Sequence, residues 1–286
     1  MRTSGSKKEN AELARTKETI QNIKNDQINE SIKRTKTKYK NDRVKERIIL
    51  PSSLFEKIDP YISNVSRSIC KIKIETILGR IIGTGFLLTF DIDKEMFYCL
   101  ISNEHVMKND IIQNNNNIIF ISYDNELKHA DIKLGSKKRY IKSFTDIDLD
   151  IAVVEILKED NISKDYFLFP ELEIMTNNSL IDNKIYIPQY AGGKELVNAR
   201  GIIKDIDKYE IVHLANTEYG SSGSPIFLEN SIYVIGIHKE GNNEEKENYG
   251  DFIYPAINII ENDIKKKRNN GKYINGNIFG KMINII

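Results

Sequence analysis

Three serines fall within five positions of residues 220–227, which read GSSGSPIF. A serine hydroxyl is a useful nucleophile only when an adjacent base removes its proton. Gly, Ser and Pro beside apolar residues are also the ordinary composition of a turn that leads into a strand. The stretch therefore supports two interpretations, a nucleophile loop or a plain turn. A base and a carboxylate elsewhere in the chain must distinguish them.

A histidine and an aspartate upstream have the sequence context that such chemistry needs. His105 ends the stretch LISNEH, so its ring is expected at the rim of an apolar strand and outside the core. Asp150 lies 45 residues later and directly precedes IAVVE. A carboxylate at the entrance to a buried strand needs a partner, because burying it unpaired is costly. Asp148 is the rival for this role, and Asp150 is favoured because it adjoins the apolar run.

The order of these side chains along the chain narrows the fold. Ser222 lies 72 residues after Asp150, so the order is His, Asp, Ser. Enzymes with the α/β-hydrolase fold use the order Ser, Asp, His and a G-x-S-x-G elbow, whereas position 224 here is Ser. The order His, Asp, Ser is that of double β-barrel proteases.

Five short blocks then occur in the order found in trypsin-like serine proteases of the chymotrypsin superfamily, which this chain resembles. The blocks are GTGF (83–86), ISNEHV (101–106), DIAVV (150–154), GSSGSPIF (220–227) and VIGIH (234–238). The resemblance covers roughly residues 65–265. It is closest to the cysteine-poor branch that includes glutamyl endopeptidases and the high-temperature-requirement proteases. It implies peptide-bond hydrolysis through an acyl-enzyme on two six-stranded antiparallel β-barrels.

The resemblance also implies a role for each member of the site. The family pattern Gly-x-Ser-Gly places the nucleophile at Ser222, with His105 as the general base and Asp150 fixing the imidazole tautomer. The backbone N–H groups of Gly220 and Ser222 would form the oxyanion hole. Ser221 stands where the family usually has Asp or Asn. An activation step that pairs this residue with a new N-terminal amine is therefore not expected.

Specificity is expected from residues on either side of the nucleophile. Thr217 and His238 match the pocket threonine and histidine of glutamyl endopeptidases, which suggests Glu or Asp at P1, the substrate residue before the cleaved bond. Gly241 would leave the mouth of this pocket open. Residues 239–241 would pair with the substrate backbone as an added strand.

Two observations keep the specificity open. Glu218 and Glu240 flank the expected pocket, and their charges would repel an acidic side chain and favour a basic one. In the plainer interpretation, His238 only fills the end of a strand.

The remainder of the chain predicts an all-β protein with a C-terminal helix. Short runs rich in Ile, Val, Phe and Tyr alternate with turn residues, as is typical of sheets. The expected strands cover 68–76, 84–90, 96–102, 117–123, 150–157, 184–190, 201–206, 209–214, 224–229, 231–238 and 251–257. Residues 256–267 have helical periodicity and a basic end, which suits a helix C-terminus.

Charge divides the chain unevenly. Residues 1–50 carry 14 Lys/Arg against 7 Asp/Glu, a net charge of +7, so the remainder carries −6 of the total of +1. We expect a basic helical or disordered arm over 1–50, a barrel with His and Asp over 51–160, and a barrel with Ser, the pocket and the helix over 161–286. Nucleic acid is an unlikely partner for the arm, because Tyr39 is its only aromatic residue.

Other features bound the protein's class. The two cysteines, Cys70 and Cys99, do not make a disulfide framework and are expected as buried thiols, although pairing stays open. Free thiols, together with the lack of a recognisable secretory signal or membrane span in the sequence, suggest that the protein is cytoplasmic. Scattered histidines and the absence of phosphate-binding motifs predict no metal or cofactor.

Two functions therefore remain from the sequence. The first is a serine endopeptidase whose partners are protein or peptide substrates. The second is a catalytically inactive double-barrel module that holds an extended peptide. A third hypothesis makes residues 1–50 the functional part, as an anchor for a partner.

Overall fold

The structure, a computed structural model, describes residues 63–76, 79–135, 139–173, 178–242 and 244–269. The arm expected over 1–50 lies outside these residues. The described strands are β1 Ile69–Thr76, β2 Gly79–Ile92, β3 Glu95–Ser102, β4 Ile118–Tyr123, β5 Lys128–Lys133, β6 Ile141–Ser143, β7 Ala152–Glu155, β8 Lys184–Gln189, β9 Val197–Asp207, β10 Glu210–His213, β11 Pro225–Leu228, β12 Val234–Asn242 and β13 Glu247–Phe252. The described α-helices are α1 Ser63–Ser66, α2 Asn109–Ile112 and α3 Tyr254–Asn269.

Strands β1–β7 form one antiparallel sheet in the order β5-β4-β1-β2-β3-β7-β6. The prediction of a six-stranded barrel is wrong for this half, because the described strands form a seven-stranded sheet with β5 and β6 at its edges. Strand β6 has three residues, all half-buried, and β5 has one buried residue, Ile132. Edge strands of this kind bury little apolar surface, which is why the sequence did not predict them.

Strands β8–β13 form a closed barrel in the order β10-β13-β12-β11-β8-β9. This confirms the prediction of a six-stranded barrel for the second half. All of its pairings are antiparallel. Closure leaves no free sheet edge within the barrel. Two bulges interrupt the pairing of β12, one opposite the β11 residues Ile226 and Phe227 and one between His238 and Glu240. Bulges bend a strand and redirect its side chains, here close to the predicted site.

One hydrophobic cluster joins the two sheets. It contains Leu88 and Phe90 of β2 together with Tyr186 of β8 and Phe227 of β11. A parallel bridge between Leu88 and Leu168 adds backbone hydrogen bonds to the connecting segment. The two halves of the chain therefore share a hydrophobic core. The predicted domain boundary at residue 160 stays a prediction.

The C-terminal helix α3 was predicted from its periodicity and is confirmed. Ile257, Ile260 and Ile264 follow helical spacing and are fully buried in the shared cluster. The helix also contacts the first sheet, where the Tyr140 hydroxyl donates to Asp263 Oδ2 at 3.0 Å. The strand predicted over 251–257 is wrong beyond Phe252, because the chain turns and becomes helical at Tyr254.

Cys70 and Cys99 are free and buried. Burial raises the pKa of both thiols, so they are poor nucleophiles. In the part of the chain that the structure describes, no helix has the length and apolarity needed to cross a membrane.

Candidate active site

Two neighbouring strands bring His105 and Asp150 together. Strand β3 ends at Ser102, three residues before His105, and β7 begins at Ala152, two residues after Asp150. Ser102 pairs with Ala152 in this antiparallel ladder, so the end of β3 and the start of β7 lie at the same edge of the sheet. The residues that follow one strand and precede the other therefore meet outside that edge.

His105 and Asp150 are joined by two hydrogen bonds. His105 Nδ1 lies 2.5 Å from Asp150 Oδ2, and the His105 backbone N–H donates to Asp150 Oδ1 at 3.1 Å. The Asn103 side chain fixes the aspartate backbone by donating to the Asp150 carbonyl at 2.7 Å. Asp148 is exposed in a left-handed turn with φ 62°. The structure thus brings Asp150, and not its rival Asp148, to the histidine.

Asp150 is held in its ionised form despite partial burial. Burial alone would raise its pKa, but the charge and hydrogen bonds of His105, together with the charge of Lys239, lower it below the ordinary value. An ionised carboxylate at Nδ1 fixes the proton there and leaves Nε2 as the basic nitrogen. This is the tautomer that a general base for a serine hydroxyl requires.

The loop that carries Ser222 has the backbone geometry expected of a tight bend. Gly220 and Gly223 have φ values of 91° and 89°, in the region that side chains rarely adopt. A Cβ added to Gly223 would lie 1.9 Å from the Thr84 carbonyl oxygen and 2.3 Å from Ser102 Oγ. Only glycine fits at position 223, which lets the loop lie directly against the first sheet.

Thr84 attaches this loop to the sheet that bears the histidine. The Thr84 N–H donates to the Ser222 carbonyl at 2.9 Å, and its hydroxyl donates to the Gly220 carbonyl at 2.7 Å. Ser102, at the end of β3, donates its hydroxyl to the Thr84 carbonyl at 2.6 Å. The nucleophile loop is therefore fixed beside the strand end from which His105 continues.

The two neighbouring serines brace the loop. Ser221 Oγ accepts the Glu218 N–H at 3.0 Å, and the Ser221 N–H donates to the Glu218 carbonyl at 2.9 Å. Ser224 Oγ donates to the Ser221 carbonyl at 2.5 Å and is fully buried. Ser222 is 8% exposed. These hydrogen bonds give Ser221 and Ser224 structural roles and support Ser222 as the candidate nucleophile.

Two backbone amides beside Ser222 form hydrogen bonds within the protein. The Ser221 N–H bonds to Glu218, as above, and the Gly223 N–H donates to the His238 carbonyl at 3.0 Å. These bonds use neither of the N–H groups predicted for the oxyanion hole, those of Gly220 and Ser222. A pair of such donors that converge on one point would stabilise a developing oxyanion by about 3–4 kcal/mol each.

The residues predicted for specificity lie in a buried polar cluster at the end of the barrel. Thr217 is fully buried, and its hydroxyl lies 2.9 Å from Asn248 Oδ1. Asn248 Nδ2 donates to the Ala215 carbonyl at 2.6 Å, which orients the amide so that Thr217 is the donor in their contact. A Cβ on Gly241 would lie 2.4 Å from Asn248 Oδ1 and 3.8 Å from Thr217 Oγ1. Gly241 therefore borders the same cluster.

His238 contacts a second histidine, which the sequence did not suggest. His213 Nε2 lies 3.2 Å from His238 Nδ1, and the Ala215 N–H donates to His213 Nδ1 at 3.3 Å. Burial lowers the pKa of His213 well below its usual value, so His213 is neutral. Its proton is then on Nε2 and is donated to His238 Nδ1, which places the proton of a neutral His238 on Nε2.

Glu218 and Glu240 lie in different surroundings. Their charges were the argument against an acidic P1 preference. Glu218 is half-buried, and its carboxylate lies against Gly192, 3.4 Å from the position of an added Cβ. Glu240 is half-buried in β12 opposite Tyr249. Hydrogen bonds of the Thr217–Asn248 and His213–His238 pairs involve neither carboxylate.

Sequence reasoning missed five contributors to this region, among them Asp251, whose Oδ2 accepts the Asp150 N–H at 2.8 Å. The other four are Thr84, His213, Asn248 and the side chain of Lys239. Their partners are distant along the chain, so spacing could not pair them. The signal that did exist was a polar or charged residue within an otherwise apolar strand, as with Lys239 in VIGIHKEG. Among the described residues, no group of three or more His, Cys, Asp or Glu side chains is arranged to hold a metal ion.

The antiparallel sheet, the closed barrel and the C-terminal helix are consistent with the double-barrel class of chymotrypsin-like proteins. A family model described as the trypsin-like peptidase domain matches residues 83–237, more than half of the chain. The chain therefore belongs to the trypsin-like peptidase family. The matched residues include His105, Asp150 and Ser222.

One solved structure with a TM-score above 0.5 shows a similar fold, and two others are more weakly similar. A serine endoprotease from Yersinia pestis is similar with a TM-score of 0.54 and 15% identity, covering 73% of this chain and 68% of that one. The inactive form of a protease from M. tuberculosis has a TM-score of 0.47 and 17% identity, covering 68% and 87% of the two chains. Its active form has a TM-score of 0.48 and 16% identity, with coverage of 74% and 86%. No curated protein sequence matches the chain.

Proposed function

We propose that this chain is a serine endopeptidase in which Ser222 attacks the peptide carbonyl. His105 takes the serine proton and later donates it to the leaving amine. Asp150 fixes the imidazole tautomer and stabilises the imidazolium. Water then hydrolyses the acyl-enzyme by the same route. The 2.5 Å contact of His105 Nδ1 with Asp150 Oδ2, beside a loop in which Ser221 and Ser224 are structural, carries this proposal.

The oxyanion of the tetrahedral intermediate would be held by the N–H groups of Gly220 and Ser222. The fixed attachment of this loop to Thr84 supports that role, because preorganised donors need not reorganise during the reaction. Residues 239–241 of β12 would hold the substrate backbone as an added strand.

We propose further that Glu and Asp are preferred at P1. The chain of hydrogen bonds from Ala215 through His213 to His238 supports this, because it places the proton of a neutral His238 on Nε2, the nitrogen that would donate to a carboxylate. His213 thereby becomes part of the specificity apparatus. Thr217 would not donate to the P1 carboxylate as the sequence suggested, because its hydroxyl proton is donated to Asn248 Oδ1. Its oxygen can only accept a hydrogen bond.

A peptide library tests the activity. Wild-type protein should cleave with a defined P1 preference, and Ser222→Ala should reduce hydrolysis to near background. Chelator should have no effect on the rate. Hydrolysis that persists in Ser222→Ala, or that requires zinc, would refute the serine mechanism. Peptide binding without hydrolysis by wild-type protein would favour the alternative of an inactive binding module.

A separate comparison tests the P1 preference. His238→Ala should lower kcat/KM for Glu at P1 by at least about tenfold more than for Leu at P1, because an apolar side chain gains nothing from the imidazole. A library profile dominated by Lys and Arg, and unchanged in His238→Ala, would refute the acidic preference. The serine mechanism would be unaffected by that result.

A further inference from the structure

A buried lysine lies behind the predicted catalytic pair. Lys239 is 6% exposed in the bulged part of β12. Its ammonium group lies 3.1 Å from Asp251 Oδ1 and 2.5 Å from Glu210 Oε2. Glu210 is partly exposed on β10, whereas Asp251 is 1% exposed on β13. Burying an ammonium group costs free energy unless it is paired, and here Asp251 and Glu210 pair with Lys239.

Asp251 connects this lysine to Asp150. Its second oxygen, Oδ2, accepts the backbone N–H of Asp150 at 2.8 Å. Asp251 of the barrel thus fixes the main chain of Asp150. Asp150 in turn contacts His105, which lies just after strand β3 of the first sheet. The connection runs Lys239–Asp251–Asp150–His105, and each step is a hydrogen bond.

This arrangement places the buried Asp251 carboxylate against the main chain of Asp150, whose own carboxylate is partly buried. Asp150 and Asp251 repel each other when both are ionised. The facing charged and titratable groups are His105 after β3, Lys239 of β12 and, behind the lysine, Glu210 of β10. Lys239 is the permanent cation among them, since His105 is charged only when protonated. The lysine therefore offsets the repulsion between the carboxylates while His105 is the neutral base.

The titration behaviour of these groups agrees with that geometry. The pKa of Asp251 is raised to about 6, because burial, together with the charge of Asp150, outweighs the lowering by Lys239 and the Asp150 N–H. Burial disfavours the charged form of Lys239, but Asp251 and Glu210 outweigh it and raise its pKa above the ordinary value.

We propose that Lys239 and Asp251 form a buried charge pair that positions Asp150, keeps it ionised and sets the pH range in which His105 acts as a base. Both are positioning residues, and neither touches the reacting atoms. The inference rests on the proposed function for its catalytic consequence, but its electrostatic part concerns His105 whether or not the protein hydrolyses peptides.

Removing one charge at a time tests the pair. Asp251→Asn keeps an oxygen that can accept the Asp150 N–H but leaves the Lys239 cation poorly compensated. Protonation of His105 then becomes harder, so the acid limb of the kcat/KM profile should move to lower pH by about half a unit or more. The double variant Lys239→Met/Asp251→Asn removes both charges and should return the midpoint towards the wild-type value. Lys204→Met, at an exposed position of the same barrel, is the matched charge control and should leave it unchanged.

The same comparison by NMR separates this inference from the proposed function. The His105 ring resonance is titrated in full-length Ser222→Ala protein, with and without Asp251→Asn, and assigned with His105→Gln. The midpoint should move to lower pH in Asp251→Asn even if no peptide is hydrolysed. If Asp251→Asn does not fold, Glu210→Gln removes the other anion of Lys239 and should move the midpoint in the same direction by a smaller amount. A midpoint unchanged or raised in both variants would overturn the proposal.

Discussion

Two of the three serines at positions 221, 222 and 224 have hydroxyl groups that form hydrogen bonds within their own loop. Ser221 accepts a backbone N–H within its own loop, and Ser224 donates to a backbone carbonyl. A turn and a nucleophile loop are therefore not alternatives here, since the outer serines build the turn that presents Ser222. Sequence could identify the loop, but the hydrogen bonds are what give Ser221 and Ser224 structural roles.

The first prediction follows from those partners. Ser222→Ala should reduce kcat/KM to near background, where only the oxyanion hole and binding contribute, about 10³–10⁴-fold over the uncatalysed rate. Ser221→Ala and Ser224→Ala should keep measurable activity, because each removes a brace and leaves the reacting oxygen in place. Steady-state hydrolysis of one peptide by all three variants checks this. An inactive Ser221→Ala beside a fully active Ser222→Ala would show that the nucleophile is misassigned.

The second prediction concerns the carboxylate. Asp150→Asn should lower kcat by about 10³–10⁴-fold near neutral pH, because an amide at this position favours the wrong imidazole tautomer. Asp148→Asn is the matched control, two residues away on an exposed turn, and should leave kcat unchanged. Equal losses in the two variants would mean that the contact with His105 is not the source of the effect.

At the level of secondary structure, the positions of the strand ends determine which site residues lie close together. Strands β3 and β7 were both predicted, and their pairing at Ser102 and Ala152 explains why His105 and Asp150 lie together. The edge strands β5 and β6 were not predicted, because KHADIK and IKS lack the apolar alternation of a half-buried strand. The contacts of Lys239 with Asp251 and of Asn248 with Thr217 were also missed, since each joins separate segments whose relative register cannot be derived from propensity.

The third prediction concerns the contact between the nucleophile loop and β2. Gly223→Ala should destabilise the protein by about 2 kcal/mol or more, because it combines a disfavoured φ with a clash against the Thr84 carbonyl. It should also reduce kcat through displacement of Ser222. Gly135→Ala is the control, since an added Cβ there meets nothing within 4 Å. Urea unfolding of both variants measures the difference, and equal midpoints would contradict the docked geometry.

At the level of the whole molecule, one hydrophobic cluster ties the sheet, the barrel and α3 together. Composition and periodicity predicted the all-β class and the C-terminal helix, because these depend on local apolar patterns, whereas the resemblance to a known family implied the six-stranded second barrel. They could not show that the first sheet has seven strands, because that depends on contacts between short edge segments and the rest of the fold.

The fourth prediction is a pH dependence of stability. His213 is buried and its pKa is lowered well below the ordinary value of 6.5, so it is neutral in the folded state while the unfolded chain takes up a proton. Its stabilising contribution is complete above that value and is lost as the pH falls below it, by about 1.4 kcal/mol per pH unit. His213→Gln should flatten the pH dependence of the unfolding free energy between pH 6.5 and 5. His129→Gln, at an exposed position, should leave the wild-type slope, and equal slopes in all three proteins would contradict the neutral buried state.

The most direct test of the central claim is labelling with a fluorophosphonate, which reacts with an activated serine and not with an ordinary hydroxyl. Peptide mapping by mass spectrometry should find one adduct, on Ser222, in the wild-type protein. The adduct should be absent from Ser222→Ala and strongly reduced in His105→Gln, which keeps the serine but removes its base. An adduct on Ser221 or Ser224, or no adduct on folded wild-type protein, would contradict the proposed mechanism.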